Sequence, residues 1–194
     1  MIDSRKAYKE YLAEDKKALN RTLPFPLPID YTWRFQRLLR KSEYYLNCKR
    51  GPLGRCISLL LRVRVRSFGM KYGFSIPENV FGKGLSIAHV GTIVVNPAAR
   101  VGNYCRLHVG VNIGTAAGYA DKSPKIGNNV YIAPGVKIFG EIEIADGIAI
   151  GANAVVNRSC LTPNVTLGGI PAKIISEKGS KGLLYTPEPD PKET

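Results

Sequence analysis

The chain has 194 residues, of which 44% are hydrophobic and 22% are charged, a balance that is typical of a soluble globular protein. No stretch approaches the ~18 uncharged apolar residues that a membrane-spanning helix needs, and the start, MIDSRKAYKEYLAEDKK, lacks the apolar core of a secretory signal peptide. These features exclude a transmembrane protein and predict a cytoplasmic location.

The cysteines show no pattern of metal binding or disulfide pairing. No two of them form a CxxC pair, so we expect neither a zinc site nor any other metal site, and no disulfide framework. Reduced thiols fit a cytosolic protein. The four residues are Cys48, Cys56, Cys105 and Cys160.

The net charge of +13 is concentrated in the first part of the chain. Residues 1–75 hold 17 Lys+Arg and 6 Asp+Glu, whereas residues 76–194 hold 11 and 9. Such a patch suits nucleic acid, an anionic membrane surface or an acidic ligand, and it equally suits the solvated faces of amphipathic helices. Because no nucleic-acid motif accompanies the charge, we do not expect a nucleic-acid partner.

The first elements are predicted to be helices. Residues 1–20 form a short polar helix, and the three prolines of LPFPLPID (23–30) end it, since proline fixes φ and lacks a backbone donor. Asp30 is the predicted N-cap of a second helix, DYTWRFQRLLRKSEYYLNC, whose apolar side includes Trp33 and Leu38.

A third helix is predicted from Pro52 to about Phe68, although the alternation in RVRVR (62–66) is also compatible with a strand. Its predicted inward side chains are Leu53, Ile57, Leu60 and Leu61. Its arginines face either phospholipid or solvent on a charged outer surface, and they are Arg55, Arg62, Arg64 and Arg66. Residues 1–73 are thus predicted to form a basic α-helical N-terminal region.

A six-residue repeat begins after residue 76, where Gly, Asn, Val, Ile and Ala replace long charged side chains. Aliphatic anchors recur every six positions at Val95, Val101, Leu107 and Ile113 and again at Ile126, Ile132, Ile138, Ile144, Ile150 and Val156. Small or branched apolar residues follow four positions after an anchor, at Ala99, Cys105, Val111, Val130, Val136, Ile142, Ile148, Ala154 and Cys160. Cys105 and Cys160 are therefore predicted to pack in the interior.

This period fits neither an amphipathic helix nor a long alternating strand. It predicts a mainly β solenoid in which each hexapeptide supplies one short strand and one corner, and three hexapeptides complete a coil. Gly and Asn mark the corners, as at Gly127 to Asn129, because both tolerate positive φ.

These hexapeptides, the late GGIPAK (168–173) and the helical N-terminal region resemble the left-handed β-helix acyltransferases. The resemblance is closest to the branch that contains serine acetyltransferases and capsule or lipopolysaccharide O-acetyltransferases. It implies a left-handed parallel β-helix over residues 74–176 and a homotrimer with sites shared between subunits. Residues 177–194 are predicted to form a flexible tail, because their last part, TPEPDPKET (186–194), is Pro-rich and polar.

The rhythm breaks in GLSIAHVGTIVV (84–95), where the segment from Ile87 to Val94 is two residues too long. The extra pair must bulge, which projects His89 from the flat face. His108 is expected one coil further on, with the two imidazoles on rungs ~5 Å apart. One face is predicted to carry the segments that begin at Ile87, Leu107, Ile132 and Ile150.

A second insertion, TAAGYADKSPK (115–125), is predicted to leave the solenoid as a loop. It either covers a groove or a neighbouring subunit, or only decorates a corner.

The predicted chemistry is acyl transfer to a hydroxyl. A neutral imidazole, with a pKa near ~6.5, can take the hydroxyl proton as the oxygen attacks a thioester, and backbone N–H groups can hold the oxyanion. The resemblance assigns the general-base role to His89. For His108 we expect a catalytic role, either orienting substrate or assisting His89, with a structural hydrogen bond as the alternative.

The co-substrate implied by the resemblance is acetyl-CoA, lying along the stacked coils. The residues predicted to contact it are Gly114, Thr115, Ala133, Gly135, Ala152 and Lys173.

Three positions depart from the serine acetyltransferase pattern. That pattern has Asp before the catalytic His, Asp fifteen residues upstream of the His, and an Arg-His pair before Pro-Lys-Ile; this chain has Ala88, Phe74 and Lys122-Ser123. Without these carboxylates a substrate ammonium would be left unpaired, which argues against serine. The ring of His89 then needs another orienting group, with Glu78, Asn96 or a backbone carbonyl as candidates.

The sequence therefore predicts an acetyl-CoA-dependent O-acetyltransferase. The favoured acceptor is a saccharide of capsule or O-antigen-type polysaccharide synthesis, with the basic helices at the inner membrane face. One alternative is serine O-acetyltransferase of cysteine biosynthesis, and a second is a non-catalytic binding or scaffold protein.

Overall fold

The computed structural model describes residues 1–185. Three helices form the N-terminal region, namely α1 (Arg5–Ala18), α2 (Tyr31–Cys48) and α3 (Pro52–Tyr72). As predicted, Asp30 caps α2, because its side chain accepts from the backbone N–H of Trp33. Among these helices none has the length and hydropathy needed to cross a bilayer.

Helix α3 differs from its prediction in two respects, the position of its C-terminal end and the exposure of side chains predicted to face inward. It continues four residues past Phe68 and ends at Tyr72, where Gly73 caps it with φ of 85°. Leu53 and Leu60, predicted to face inward, are 75% and 59% exposed. The prediction was wrong because α3 contacts the rest of the protein along one narrow stripe, whose buried members include Leu61 and Val65.

Fourteen short strands follow within residues 1–185, and in the regular part of the β-helix three successive strands complete one coil. They are β1 (Phe74–Ser75), β2 (Ser86–Ile87), β3 (Ile93–Val95), β4 (Arg100–Val101), β5 (Arg106–Leu107), β6 (Asn112–Gly114), β7 (Lys125–Ile126), β8 (Tyr131–Ile132), β9 (Lys137–Phe139), β10 (Glu143–Ile144), β11 (Ala149–Ile150), β12 (Val155–Val156), β13 (Thr166–Gly169) and β14 (Ala172–Ser176). All ladders are parallel except the terminal β13–β14 hairpin.

The strands form the three faces of a prism. One sheet has the order β1-β3-β6-β9-β12, a second β10-β7-β4, and a third β14-β13-β11-β8-β5-β2. The predicted shared face is confirmed in the third sheet, where Ile87 pairs with Leu107, Leu107 with Ile132, and Ile132 with Ile150. All four side chains are fully buried, so the repeat forms a continuous aliphatic ladder.

The residues between the anchors also take their predicted places. Cys105 is buried and Cys160 packs against the same core. Asn129 turns a corner with φ of 54°, as the Gly and Asn pattern predicts. The second insertion leaves the prism as a loop between the end of β6 and the start of β7.

Polar side chains of the helical region cover the open edge of the six-stranded sheet. Gln36 donates to the carbonyl of Leu85 at 2.6 Å and accepts from the N–H of Ile87 at 2.9 Å. Asp15 accepts from the N–H of Leu85 at 2.9 Å. These bonds satisfy the backbone groups of β2 that lack a neighbouring strand.

The chain after β14 returns to the β-helix. Ser180 donates its N–H to the carbonyl of Gly147 and its hydroxyl to the carbonyl of Asn129. Residues 182–185 then lie over the outer face of the six-stranded sheet beside Arg106. Residues 177–185 are the first half of the predicted tail. Its second half, residues 186–194, lies outside the described residues.

Candidate active site

His89 lies at the corner where the chain passes from the six-stranded to the five-stranded sheet. Strand β2 ends at Ile87, β3 begins at Ile93, and His89 is exposed between them. Gly91 makes the bulge possible, because its φ of 143° is one that side chains disfavour. A Cβ at Gly91 would also collide with the side chain of Val109.

His108 lies on the next rung at the same corner. Its ring centroid is 6.2 Å from that of His89 and 5.1 Å from that of Tyr131. The structure thus brings together the two predicted catalytic histidines, on adjacent rungs. We call this edge, formed by residues 88–92, 108–111, 133–136 and 151–154, the histidine corner.

The environment of His108 makes it a poor base. Burial, reinforced by the charge of Arg106 and by the neighbouring imidazole of His89, lowers the pKa of its imidazole to about 4. Its Nε2 is buried and has no hydrogen-bond partner in residues 1–185. A neutral imidazole of low pKa accepts protons weakly at neutral pH, so His89 is the better placed of the two rings to act as general base.

A cavity of about 290 Å³ opens beside His108. Its polar lining side chains are Arg106, His108 and Tyr131, and residues 182–185 form its opposite wall. Sequence reasoning missed Arg106, Tyr131 and this wall. The signal was present for two of them, since each immediately precedes an anchor of the predicted shared face and points away from the core.

Three predicted acetyl-CoA contacts lie at the histidine corner. Ala152 is exposed there, but Ala133 is buried and its N–H donates to the carbonyl of Ile150. The N–H of Gly135 donates to the carbonyl of Val109. The backbone amides of Ala133 and Gly135 are therefore not free to bind a pantetheine arm.

The other predicted contacts lie elsewhere. Gly114 ends β6 and Thr115 follows it, so both lie where the strands of the five-stranded sheet end, whereas His89 lies at the corner where these strands begin. Lys173 is exposed on β14, five strand positions from β2, or ~24 Å at the usual strand spacing. One chain alone therefore does not bring these residues to His89.

Within residues 1–185, neither side chain that was a candidate to orient His89 forms a hydrogen bond with its ring. Glu78 accepts from the hydroxyl of Ser42 at 2.8 Å. Asn96 accepts from the N–H of Ala98 and from the hydroxyl of Ser123. The carboxylate of Glu78 is thus bonded to the helical region, and the carboxamide oxygen of Asn96 to its own turn and to the second insertion.

The positions that depart from the serine acetyltransferase pattern supply no negative charge. Phe74 is buried and its ring packs on that of Phe35 at 4.8 Å. Ala88 is half-buried directly before His89. Neither Phe74 nor Ala88 therefore places a carboxylate beside His89.

Comparison with known proteins gives a consistent picture, although no protein-family model matches the chain. The serine acetyltransferase of Buchnera aphidicola subsp. Schizaphis graminum is 32% identical over 83% of this chain and 61% of its own length. The serine acetyltransferase of Brucella abortus superposes with a TM-score of 0.70 at 27% identity, covering 89% of this chain and 70% of that one. That of Neisseria gonorrhoeae, in complex with serine, gives 0.67 at 26% identity, covering 89% and 71%.

The chain is shorter than these relatives. It spans 42%, 61% and 49% of three curated serine acetyltransferases that it matches. The comparisons confirm the left-handed β-helix and the serine acetyltransferase side of the resemblance, whereas the capsule or lipopolysaccharide branch stays a prediction. In sequence and in fold the chain is similar to the serine acetyltransferases, and it shares their left-handed β-helix.

Proposed function

We propose that the protein is an acetyl-CoA-dependent O-acetyltransferase. The observation that carries the proposal is the exposed imidazole of His89, which a bulge projects 6.2 Å from the ring of His108, on a fold shared with serine acetyltransferases. Acetyl-CoA is the donor because relatives of this kind bind coenzyme A, as in the solved complex of the Brucella abortus enzyme. No metal is needed for this chemistry.

In the proposed mechanism His89 takes the proton of the acceptor hydroxyl as its oxygen attacks the thioester carbonyl. An ester bond forms and the carbon–sulfur bond breaks. The imidazolium of His89 then returns the proton to the departing thiolate, so the free thiol leaves. His108, neutral at pH 7, contributes hydrogen bonding from its unpartnered Nε2 and is a positioning residue.

Two acceptors are supported by different observations. The names of the relatives and the serine complex of the Neisseria gonorrhoeae enzyme favour serine, in cysteine biosynthesis. The absence of carboxylates at Ala88 and Phe74 favours a hydroxyl without a neighbouring ammonium, such as a saccharide in polysaccharide synthesis. The comparisons thus favour serine as the acceptor, whereas the residues of the site favour a saccharide.

We also propose a homotrimer. Val94 and Phe139 are each 39% exposed on the outer face of the five-stranded sheet, an apolar surface that a second β-helix would cover. Gly114 and Thr115 lie across that sheet from His89, so packing between chains would join the two halves of the site. Sedimentation equilibrium tests this, and a stable monomer at micromolar concentration would contradict it.

A peripheral membrane contact is proposed for the outer face of α3. It exposes Leu53, Leu60 and Met70 alongside Arg64 and Arg66, a mixture that suits an anionic lipid surface. Co-sedimentation with phosphatidylserine vesicles, against neutral phosphatidylcholine vesicles, measures it. Equal recovery with both vesicles would refute the electrostatic contact.

Thiol release from acetyl-CoA tests the activity. Wild type and His89→Ala are assayed with serine, simple sugars and nucleotide sugars, with Lys178→Ala as a surface control. We expect one acceptor to drive release, and His89→Ala to lose about 10²–10⁴ of the rate. Retained rate in His89→Ala would exclude His89 as the base, and failure to bind CoA would exclude the enzyme.

A further inference from the structure

We infer that the cavity beside His108 is a binding site for the anionic group of the acceptor, with Arg106 as its anchor. The acceptor class is then a hydroxyl compound carrying a carboxylate or a phosphate and no ammonium, such as an acidic sugar. The inference rests on the proposed acetyl transfer for the ligand's identity as acceptor, but not for the anion site itself.

Arg106 is held in place with most of its donors unused. Its Nη1 donates to the hydroxyl of Ser86 at 3.1 Å, and Ser86 is itself buried. The guanidinium lies 5.3 Å from the ring centroid of Tyr185, which stacks on it. A guanidinium has five N–H donors in a planar fork, and that fork matches a carboxylate or phosphate.

No acidic side chain competes for this guanidinium within residues 1–185. Arg106 forms no ion pair within 4.0 Å there, and the residues lining the cavity include neither Asp nor Glu. Arg40, which is fully buried, is by contrast paired with Asp15 at 2.8 Å. Arg106 is thus positioned for an external anion.

Two further donors converge on the same cavity. Tyr131 precedes Ile132 in register with Arg106 on the neighbouring strand, so the phenol and the guanidinium are adjacent on the outer face. His108 lines the cavity with its ring. A phenol, an imidazole and a guanidinium suit an anion with hydroxyl groups.

The same lining disfavours an ammonium group. Arg106 lines the cavity, and the ring centroid of His89 lies 6.2 Å from that of His108. No lining residue carries a carboxylate that could pair with a positive charge. An unpaired ammonium beside a guanidinium is repelled and loses its water. This distinguishes an acidic sugar from serine, which carries both a carboxylate and an ammonium.

The chain's two histidines allow a direct test by NMR, because only two imidazole signals arise and His108→Gln assigns one of them. Wild type is titrated with glucose, glucuronate, glucose 6-phosphate, glycerate and serine. We expect the two acidic sugars to shift the His108 signal and glucose to leave it unchanged. The carboxylate and phosphate sugars report which anion the site prefers, and glycerate against serine reports the effect of the ammonium.

Arg106→Gln is expected to weaken binding of the acidic sugars at least about tenfold, since it removes a charge-assisted, bidentate contact. Arg106→Lys keeps the positive charge but lacks the planar fork of donors, so its affinity for the acidic sugars should lie between those of wild type and Arg106→Gln. Arg100→Gln is the matched control, because Arg100 holds the same first position of its strand, β4, on another face.

The outcomes separate this inference from the proposed function. Unchanged anion binding in Arg106→Gln, or an equal response to glucose, overturns the anion site even if acetyl transfer is observed. If no sugar or amino acid is acetylated while acidic sugars still shift His108 through Arg106, the anion site stands and the transferase proposal fails. Tighter binding of serine than of glycerate overturns the exclusion of the ammonium.

Discussion

The β-helix and the helical region differ in the chemistry of the side chains that they bury. The β-helix buries repeated aliphatic side chains, so that Ile87, Leu107, Ile132 and Ile150 make the same contact on successive coils. The helical region instead buries a charged cluster in which the guanidinium of Arg40, fully buried, meets two carboxylates. These are Asp15 at 2.8 Å and Glu43 at 3.0 Å.

The difference lies in redundancy. A ladder repeats one interaction many times, whereas the charged cluster occurs once and, together with Gln36, connects the two regions. Arg40 also donates to the carbonyls of Phe81 and Gly82, at 2.9 and 2.5 Å, on the β-helix side. The helices thereby fix the first coil, which is the coil that bears His89.

Replacing Arg40 is expected to give the largest loss of stability. Arg40→Met leaves Asp15 and Glu43 buried without a countercharge, a loss of about 3–5 kcal/mol in the free energy of unfolding. Urea denaturation measures it. The control is Arg21→Ala, whose exposed ion pair with Asp30 should contribute at most about 1 kcal/mol.

Neutralising the whole charged cluster tests whether unpaired buried charge causes this loss of stability. A triple variant, Arg40→Met with Asp15→Asn and Glu43→Gln, should recover part of the loss because no buried charge remains unpaired. If the triple variant is less stable than Arg40→Met alone, desolvated charge is not the cause.

A rung of the ladder should be less sensitive than the cluster but still costly. Ile132→Ala opens a cavity among fully buried neighbours, with an expected loss of about 2–5 kcal/mol. Ile174→Ala, at a position 50% exposed, is the control for the same change in side chain. Equal losses for both would show that the ladder is not tightly packed.

The ladder was predictable from sequence and the cluster was not, for a physical reason. A period of six places each anchor relative to the next, so the face shared by Ile87 and Leu107 follows from counting. Arg40 meets its partners across 25 and 41 residues, a pairing that no local pattern encodes. No local feature of the sequence therefore indicates that Arg40 is buried.

The site divides in the same way. The bulge at His89 and its proximity to His108 followed from the broken rhythm. The wall of the cavity formed by residues 182–185 comes from a part of the chain distant in sequence. Ser180 holds this segment against the β-helix through a contact that is not part of the repeat. The low pKa of His108 also depends on that three-dimensional enclosure, since burial is its largest cause.

Gln36 tests whether the helical region supports the site. Gln36→Leu removes both bonds to the edge of β2 and leaves the buried carbonyl of Leu85 and N–H of Ile87 unsatisfied, a loss of about 1–3 kcal/mol. Because β2 leads into His89, we also expect a lower kcat for acetyl transfer. Lys41→Ala, exposed on the same helix, is the control. Normal kcat with reduced stability would confine Gln36 to a structural role.

The smallest effect is expected from the titration of His108. Its pKa is about 4 in the folded protein, against an ordinary value of 6.5. Below pH 6.5 the unfolded chain therefore binds a proton that the folded protein does not, and this favours unfolding. Stability from this group is complete above pH 6.5, falls as the pH drops toward 4, and then levels off.

His108→Gln isolates this contribution, because glutamine does not titrate. Urea unfolding of wild type and variant at pH 7, 5.5 and 4 should show the variant losing less stability on acidification than wild type. The size is reduced by water at the partly open cavity, which screens the charge. Parallel losses in the two proteins would mean that the imidazole of His108 becomes protonated as readily in the folded protein as in the unfolded chain, and its neutral positioning role would be lost with it.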